Sequence, residues 1–438
     1  MAESENTGTK VAVRRIVLFG AFGSGNLGNE CTLQSLLYHI RQSVPRAEVS
    51  CICTGPEETE ETYKIPASLI KEVPLPPIEN RTLRSLRKIV LGVPVELYRW
   101  SKAIARLKGA DMLIMTGTGM LSDFGISPFG LHYEILKWTV AAKLCRCRVI
   151  FLSVGVGPLR HPVSRRLVKS VLSRADYRSY RDQFSKRYLE SIGFDSKNDE
   201  VYPDLVYSFP QAMLPNKPTT AQRVVGVGLM TYSNRRGAAS DDTLYRRYIS
   251  KLADFVVWLL HKKYTVRLLI GDVVYDDQAR HDLKALIRER TGDYNFAEIL
   301  DEPAASVGDV LSQIAATDFV VASRFHNVLL GLLSDKPVLA LSYHEKVEAL
   351  MVEANLGEFC QDIESIDLPK LIEQFSLLEE QSSQIKQRLE QDAKARRAAL
   401  DRQYDHIFRT SAEPSYGTLQ TASTNGDGSA ALGRERPL

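Results

Sequence analysis

The feature that most constrains this chain is the alternation of short apolar runs with glycine-rich turns and helical segments. The first apolar run, residues 14–20, stops at the turn GAFGSGNLGNE. The residues after it have apolar positions at helical spacing, namely Leu33, Leu36, Leu37 and Ile40. A second apolar run, AEVSCIC, comes next. A strand, a helix and a second strand in this order predict a βαβ unit and therefore a parallel sheet.

The same alternation continues through two successive parts of the chain. Strand-like runs recur at 111–115, 148–154 and 176–182, and then, after a proline-rich stretch, at RVVGVGLM, TVRLLIGD, TDFVVA and KPVLALS. We therefore predict two Rossmann-like α/β domains that face each other across a cleft, with ligands at the carboxyl ends of the strands. The predicted divisions are a flexible N-terminus (1–13), a first domain (14–207), a linker (208–223), a second domain (224–366), C-terminal helices (367–410) and a disordered tail (411–438).

Composition narrows the class of protein further. The 438 residues carry a formal net charge of +3 and 44% of them are hydrophobic, a balance that favours no nucleic-acid partner. No stretch reaches the roughly 20 apolar residues that cross a bilayer. The pairs Cys51/Cys53 and Cys145/Cys147 lie in strand-like runs without the usual spacing of metal ligands. We expect no bound metal, free thiols and a cytoplasmic location.

Three glycine-rich turns follow strand-like runs in the first half. The first matches the dinucleotide-binding pattern at Gly23, Gly25 and Gly28, but the second strand ends without the acidic residue that binds a ribose. A nicotinamide cofactor is therefore not expected. The other turns are TGTGMLSD and GVGPL. Tight packing between strands and helices explains any one such turn, whereas three of them predict a crevice for an anionic ligand.

Charged residues also follow the predicted strands. Arg181 closes the run DYRSYRD, Arg324 and His326 follow DFVVA, and Lys346 follows KPVLALS. An arginine can hold a phosphate or a carboxylate through two hydrogen bonds, and a histidine can exchange a proton near neutral pH. Taken singly, each of these residues is also compatible with a structural ion pair or a helix start.

One segment, residues 81–108, is locally basic and amphipathic. It contains eight arginines and lysines against the single acid Glu96, with leucine, isoleucine, valine, tyrosine and tryptophan between them. One interpretation is a solvated helix face over the first domain. The other is a docking surface for an anionic membrane or a lipid-linked acceptor, in a protein peripheral to the inner membrane face.

Taken in order, these segments resemble the polysaccharide pyruvyl transferase family. The resemblance covers residues 14–375 and rests on GSGNLGNE, GTGML, GVGPL, ADYRSYRDQFS and SRFHNVLLGLLSDKPVLALSYHEKV. It implies a fold similar to the two-domain glycosyltransferase B arrangement. It also implies transfer of the carboxyethylidene group of phosphoenolpyruvate onto two hydroxyls of a sugar, in a polysaccharide or its lipid-linked precursor, without a cofactor.

The resemblance implies a role for each matching residue. Arg181 and Arg324, with the backbone at Phe325, match positions suited to holding the phosphate and carboxylate of the donor. His326 matches the general acid, and Lys346 is expected to stabilise the departing phosphate. The glycine-rich turns supply further donor-binding positions, namely Gly23, Asn26, Gly28, Gly117 and Gly119.

The sequence departs from the family pattern at two positions. Asn29 stands where the family usually has an acid, so Asn29, Glu30 and Asp123 are the candidates for acceptor binding. Thr118 replaces the middle of three glycines. Two alternatives therefore remain open beside a pyruvyl transferase: a nucleotide-sugar glycosyltransferase of the same two-domain shape, and a non-catalytic binding protein derived from such an enzyme.

Overall fold

The computed structural model describes residues 14–72, 81–123, 127–216, 222–232, 242–273, 275–292 and 298–408, with backbone alone at 81–90 and 242. The predicted flexible N-terminus and disordered tail lie outside the described residues, as do 217–221 of the predicted linker. None of the helices in the described ranges combines the length and the apolarity that a membrane span requires.

The first domain is a seven-stranded parallel sheet in the order β3-β2-β1-β4-β5-β6-β7. Alternate residues of its central strands enter two different hydrophobic clusters, Ile16 and Leu18 in one and Val17 and Phe19 in the other, so helices cover both faces. The strands are β1 (Arg15–Phe19), β2 (Glu48–Cys53), β3 (Ala67–Leu69), β4 (Met112–Met115), β5 (Arg148–Val154), β6 (Tyr177–Tyr180) and β7 (Glu200–Val201). The helices are α1 (Leu27–Ser43), α2 (Pro56–Tyr63), α3 (Arg81–Leu107), α4 (Leu131–Leu144), α5 (Pro162–Leu172) and α6 (Gln183–Ser191).

The second domain repeats this architecture with a six-stranded parallel sheet in the order β10-β9-β8-β11-β12-β13. Its strands are β8 (Val224–Gly228), β9 (Thr265–Leu269), β10 (Ile299–Leu300), β11 (Phe319–Ala322), β12 (Val338–Ser342) and β13 (Cys360–Asp362). Its helices are α7 (Asp242–His261), α8 (Asp277–Thr291), α9 (Val307–Ala315), α10 (Phe325–Leu333) and α11 (Glu345–Glu353), followed by α12 (Leu368–Glu380) and α13 (Ser382–Phe408).

Both sheets reverse their strand order at one place, between β1 and β4 in the first domain and between β8 and β11 in the second. Helices on either side of such a point leave in opposite directions, which opens a crevice at the carboxyl ends of the strands. The predicted pair of Rossmann-like domains is confirmed, and the two crevices face one another across the cleft.

The last helix, α13, leads the chain back to the first domain. The amide nitrogen of Gln403 donates to the hydroxyl of Ser179 at 2.7 Å, and the hydroxyl of Tyr404 lies 2.9 Å from that of Ser208. A guanidinium nitrogen of Arg14 donates to the carbonyl of Phe408 at 2.7 Å. These contacts tie the end of the described chain to the domain in which it begins.

Some local features differ from the sequence interpretation. The edge strands β3, β7, β10 and β13 are two or three residues long and contain no apolar run from which they could be predicted. The predicted linker begins inside the core, because Phe209 is buried there. Cys145 caps the end of α4 and Cys147 precedes β5, so this pair shares no strand face, unlike Cys51 and Cys53 of β2.

Candidate active site

A cavity of about 330 Å³ lies between the two domains, at the reversal points of both sheets. Every segment that lines it follows a strand or begins a helix. From the first domain these are Ala21, Asn26, Asn29, Thr118, Gly119, Met120, Leu131 and Arg181. From the second they are Met230, Thr231, Tyr232, Gly271, Arg324, Phe325, His326, Tyr343 and Lys346. The cavity is therefore built where the fold predicts a ligand.

The two walls of the cavity touch at the first glycine-rich turn. Asn26 forms an antiparallel bridge with Asp272, and the backbone N–H of Val273 donates to the carbonyl of Gly25 at 3.1 Å. A Cβ on Gly28 would lie 1.8 Å from Cγ of His326. Glycine at this position of α1 therefore permits the imidazole of the second domain to rest against the first.

Arg324 is held in place by a buried carboxylate. It lies at the N-cap of α10, and its Nε donates to the two carboxylate oxygens of Asp276 at 3.1 and 2.9 Å. The Asp276 side chain is fully buried and also accepts the backbone N–H groups of Thr231 and Asp272, both at 3.1 Å. One carboxylate thus fixes the guanidinium together with two of the loops that line the cavity.

Arg181 approaches from the other wall. Its guanidinium lies 3.2 Å from the Asp182 carboxylate and 3.4 Å from that of Asp204. Its carbon Cζ lies 4.3 Å from the ring centroid of Phe325, a residue of the opposite domain. A Cβ on Gly155 would lie 2.6 Å from this guanidinium, so the third glycine-rich turn provides the space in which Arg181 lies.

Lys346 adds a third cation, in the first turn of α11. Its Nζ lies 5.6 Å from the ring centroid of Phe325 and 5.1 Å from that of Tyr343. Aromatic faces stabilise a cation without neutralising it. No carboxylate within the described ranges forms an ion pair with this ammonium group, which leaves positive charge in the cavity for an anionic ligand to balance.

Uncharged donors on both walls complete the cavity. Helix α10 begins at Phe325, inside the cavity, and no side chain caps its first turn. The free N–H groups of a helix start attract phosphate and carboxylate groups. The hydroxyl of Thr118 is buried without a hydrogen-bond partner in the described part of the chain. A ligand that accepts a hydrogen bond would satisfy it.

His326 lies among the three cations. Burial, together with the positive charges of Arg181, Lys346 and Arg324, lowers the pKa of His326 to about 3. With these groups alone around it, the imidazole is neutral near pH 7. An anion bound to those cations would cancel much of their field and raise this pKa again. The arrangement couples anion binding to protonation of the imidazole.

Eight of the residues selected from the sequence line this one cavity: Asn26, Asn29, Gly119, Arg181, Arg324, Phe325, His326 and Lys346. Three of the selected glycines lie beside it and serve packing. Gly23 has a φ of +67°, and a Cβ there would lie 1.9 Å from the carbonyl oxygen of Gly55. A Cβ on Gly117 would lie 2.8 Å from a carbonyl oxygen of β5, and Gly28 receives His326 as described above.

The two candidate acids lie outside the cavity and hold loops. The Glu30 carboxylate accepts hydrogen bonds from the backbone N–H of Gly23 at 2.8 Å and from the hydroxyl of Tyr63 at 2.9 Å. Burial raises the pKa of Glu30. Asp123 accepts the backbone N–H groups of residues 160–161 at 2.7 and 2.8 Å. Of the three predicted acceptor residues, only Asn29 reaches the cavity.

Sequence reasoning missed Asp276 and the loops that it organises. The available signal was the end of β9, where GDVVYDD follows a buried strand in the same way as the glycine-rich turns of the first domain. That Asp276 meets Arg324, 48 residues later, depends on the parallel pairing of β8 with both β9 and β11.

Comparison with known families gives a match over most of the chain. A sequence model described as "Polysaccharide pyruvyl transferase" matches residues 26–345, a range that contains Arg181, Arg324 and His326 and ends one residue before Lys346. A search of curated protein sequences finds no significant match.

Solved structures share the fold at low sequence identity. A putative UDP-N-acetylglucosamine 2-epimerase from Listeria monocytogenes has a TM-score of 0.58 at 13% identity, over 91% of this chain and 98% of its own. Anabaena HepE, solved in complex with UDP, has a TM-score of 0.59 at 14% identity, over 91% and 100%. A glycosyltransferase from Rickettsia africae has a TM-score of 0.52 at 12% identity, over 91% and 99%.

Proposed function

Since the chain belongs to the polysaccharide pyruvyl transferase family, we propose that it transfers the carboxyethylidene group of phosphoenolpyruvate onto two hydroxyls of a saccharide, forming a cyclic ketal. The observation that carries the proposal is the cluster of Arg181, Arg324 and Lys346 around one imidazole in a cavity of about 330 Å³. A small molecule with a phosphate and a carboxylate matches that charge and that size.

The two arginines bind the two anionic groups of the donor in this proposal. Arg324 is fixed by Asp276, so its free edge is already oriented when the donor arrives. The uncapped start of α10 adds N–H donors beside it. Arg181 and Lys346 both lie near the Phe325 ring and line the same cavity. Together they hold the donor with its methylene carbon toward His326.

His326 then acts on the donor carbon. The bound anion raises the pKa of the imidazole, which takes up a proton and delivers it to the methylene carbon, so that the carbon becomes a methyl group. Electron deficiency develops at the adjacent carbon, and the first sugar hydroxyl bonds to it. The neutral imidazole accepts the proton of that hydroxyl.

The second half of the reaction replaces phosphate by the second hydroxyl. The bond between the central carbon and the phosphate oxygen breaks, and Lys346 with the arginines stabilises the departing charge. The second hydroxyl bonds to the same carbon and its proton leaves with the phosphate. One donor and one diol thus give one ketal and one inorganic phosphate.

We propose that the acceptor is a polysaccharide or its lipid-linked precursor and that the reaction uses no cofactor. We also propose a cytoplasmic location, and the six free thiols support this location.

A thermal-shift titration of the full-length protein tests the donor. A ligand that binds only the folded protein raises its melting temperature according to concentration and Kd. We expect phosphoenolpyruvate to raise it and Arg324→Ala to abolish the rise. Arg280→Ala is the matched control, because Arg280 has a similar exposed fraction, 25% against 22%, and lies in α8 outside the cavity.

One specific observation favours a second donor, since the similar fold of Anabaena HepE was solved with UDP. A panel of UDP-sugars is therefore titrated beside phosphoenolpyruvate. Stabilisation by a UDP-sugar alone would replace the pyruvyl transferase with a glycosyltransferase. Stabilisation by no donor, and no phosphate release with saccharide present, would favour a non-catalytic binding protein.

A further inference from the structure

The outer face of α3 is apolar. Its most exposed apolar side chains are Val93, at 70% exposure, and Leu97, at 66%. Three others on the same helix also face solvent, namely Leu91, Tyr98 and Ile104. Residues three, four and seven apart lie on one side of a helix, so Val93, Leu97 and Ile104 form one stripe. Contiguous exposed apolar surface of this kind marks an interaction site.

The inner face of the same helix segment carries the charges. Glu96 and Arg99 form an ion pair there, and Arg99 also pairs with Glu134 of α4. Lys137 donates to Glu134 at 2.6 Å and lies 3.6 Å from Glu96. The side chains of Arg99, Glu134 and Lys137 are all more than nine-tenths buried.

This part of α3 therefore reverses the usual order of an amphipathic helix, in which charges face solvent and apolar residues face the core. Burying two cations and one anion, with Glu96 partly exposed beside them, costs desolvation that the ion pairs only partly return. Exposing a valine and a leucine beside them gains nothing in water. The reversal is favourable only if the outer face meets an apolar surface.

The cations around the stripe indicate which surface that is. Lys108 is exposed one turn after Ile104, at the end of the stripe. Lys102 is exposed on the side of Tyr98, with its Nζ 5.4 Å from the ring centroid. The earlier turns of the helix add further positive charge in the sequence, namely Arg81, Arg84, Arg87 and Lys88. Lysine is depleted in protein–protein interfaces. Apolar residues flanked by lysine and arginine fit the headgroup region of an anionic bilayer.

We propose that the outer face of α3 binds the surface of an anionic lipid bilayer, with Val93 and Leu97 entering the headgroup region and the cations lying against lipid phosphates. Helix α3 is linked to the cleft through the start of α4. The hydroxyl of Tyr133, in the first turn of α4, donates to Glu96 of α3 at 2.8 Å, and Leu131 of the same turn lines the cavity. A bilayer on this face would lie beside the acceptor's path to the cavity.

Vesicle co-sedimentation of the full-length protein tests the proposal. We expect binding to phosphatidylcholine vesicles that contain phosphatidylglycerol, and weaker binding to phosphatidylcholine alone. Val93→Asp should lower the partition coefficient by about tenfold or more, because it places a charge in the apolar stripe. The matched control is Val352→Asp in α11, which changes the same residue type at a similar exposure, 64%.

The electrostatic part is tested separately with Lys102→Glu/Lys108→Glu. This variant should weaken binding to phosphatidylglycerol vesicles by more than about tenfold and leave the small affinity for phosphatidylcholine unchanged. Added salt should weaken the wild type in the same way. Unchanged melting temperatures would show that the variants are folded.

Three outcomes would overturn the proposal. The first is no binding of the wild type to phosphatidylglycerol vesicles. The second is an equal loss from Val93→Asp and Val352→Asp, since a docking face must respond at its own position. The third is a dimer in light scattering that Val93→Asp dissociates, without vesicle binding, which would assign the face to a second copy of the chain. None of these measurements depends on which donor the cavity binds.

Discussion

The two walls of the cleft hold their arginines in different ways. In the second domain Arg324 is fixed within its own wall by the fully buried Asp276. In the first domain Arg181 has longer contacts to carboxylates, at 3.2 and 3.4 Å, and rests on the ring of Phe325, which belongs to the other wall. The second wall is therefore complete by itself, whereas the first is completed by a side chain of the second.

This difference indicates that the two walls have different roles in ligand binding. In the proposed function a preorganised cation loses little entropy when it binds the donor, so the second wall would supply affinity and chemistry. The first wall would supply shape, because its glycines allow close approach and its arginine stacks on a ring of the other domain. Four predictions, from the largest expected effect to the smallest, test these roles.

The largest effect is expected at His326, the proposed proton donor, which lies in the second wall. His326→Gln keeps a polar side chain of similar size but cannot carry a proton. Turnover should fall by roughly 1,000-fold, the size expected for loss of a general acid. The thermal shift caused by phosphoenolpyruvate should remain. Turnover is measured as phosphate release with saccharide present, and donor binding is measured as the shift in melting temperature. An unchanged rate would remove His326 from the chemistry.

The next effect compares the two carboxylates behind the arginines. Asp276→Asn leaves Arg324 without its charged partner and should weaken phosphoenolpyruvate binding by about 100-fold. Asp204→Asn should cost less than about tenfold. Burial raises the pKa of Asp204, which makes it a weaker partner, and an asparagine can still accept the Val206 N–H. Isothermal titration measures both. Equal losses would show that the two walls are held alike.

The third effect tests the contact between the walls. Gly28→Ala would place a methyl carbon 1.8 Å from the imidazole of His326, so either the ring or the first domain must move. We expect kcat/KM to fall by about tenfold, since close packing does not absorb an added methyl without strain. Gly92→Ala is the control, because no atom lies within 4 Å of its added carbon. Equal activity of the two variants would mean that the contact between the two walls does not require a glycine at position 28.

The sequence predicted one wall better than the other, for a physical reason. A charged residue directly after an apolar run can be recognised from the local sequence, so Arg324, His326 and Lys346 could be selected from SRFHN and YHEKV. A glycine-rich turn indicates only that the backbone turns tightly or approaches another group closely. Whether Gly23 faces a ligand or Gly55 depends on the tertiary packing of α1 against α2.

The fold and the partners of the charges show the same limit. Two parallel-sheet domains followed from the alternation of apolar runs, and they are confirmed. The pairing of Asp276 with Arg324 did not follow, since only the sheet topology brings β9 beside β8 and β11. The inward orientation of Glu96 and Arg99 was equally hidden, because it depends on the charges of α4.

The smallest effect concerns the one group on which both walls act. Burial and the cations of the two walls lower the pKa of His326 to about 3, against about 6.5 in an unfolded chain. Between these values the unfolded chain binds a proton that the folded protein does not. Stability from this group is therefore complete above about pH 6.5 and is lost as the pH falls toward 3, by about 1.4 kcal/mol per pH unit at most.

His326→Gln removes this dependence, so the melting temperature of the variant should fall less than that of the wild type between pH 7.5 and about pH 5.5. Saturating phosphoenolpyruvate should narrow the difference, because the donor's negative charge offsets Arg181, Arg324 and Lys346 and lets the wild-type imidazole accept its proton. Parallel melting curves without donor would mean that the cations do not act on His326. A difference that persists with donor would mean that the anion binds away from these cations. The two walls would then not act together on His326 when the donor is bound.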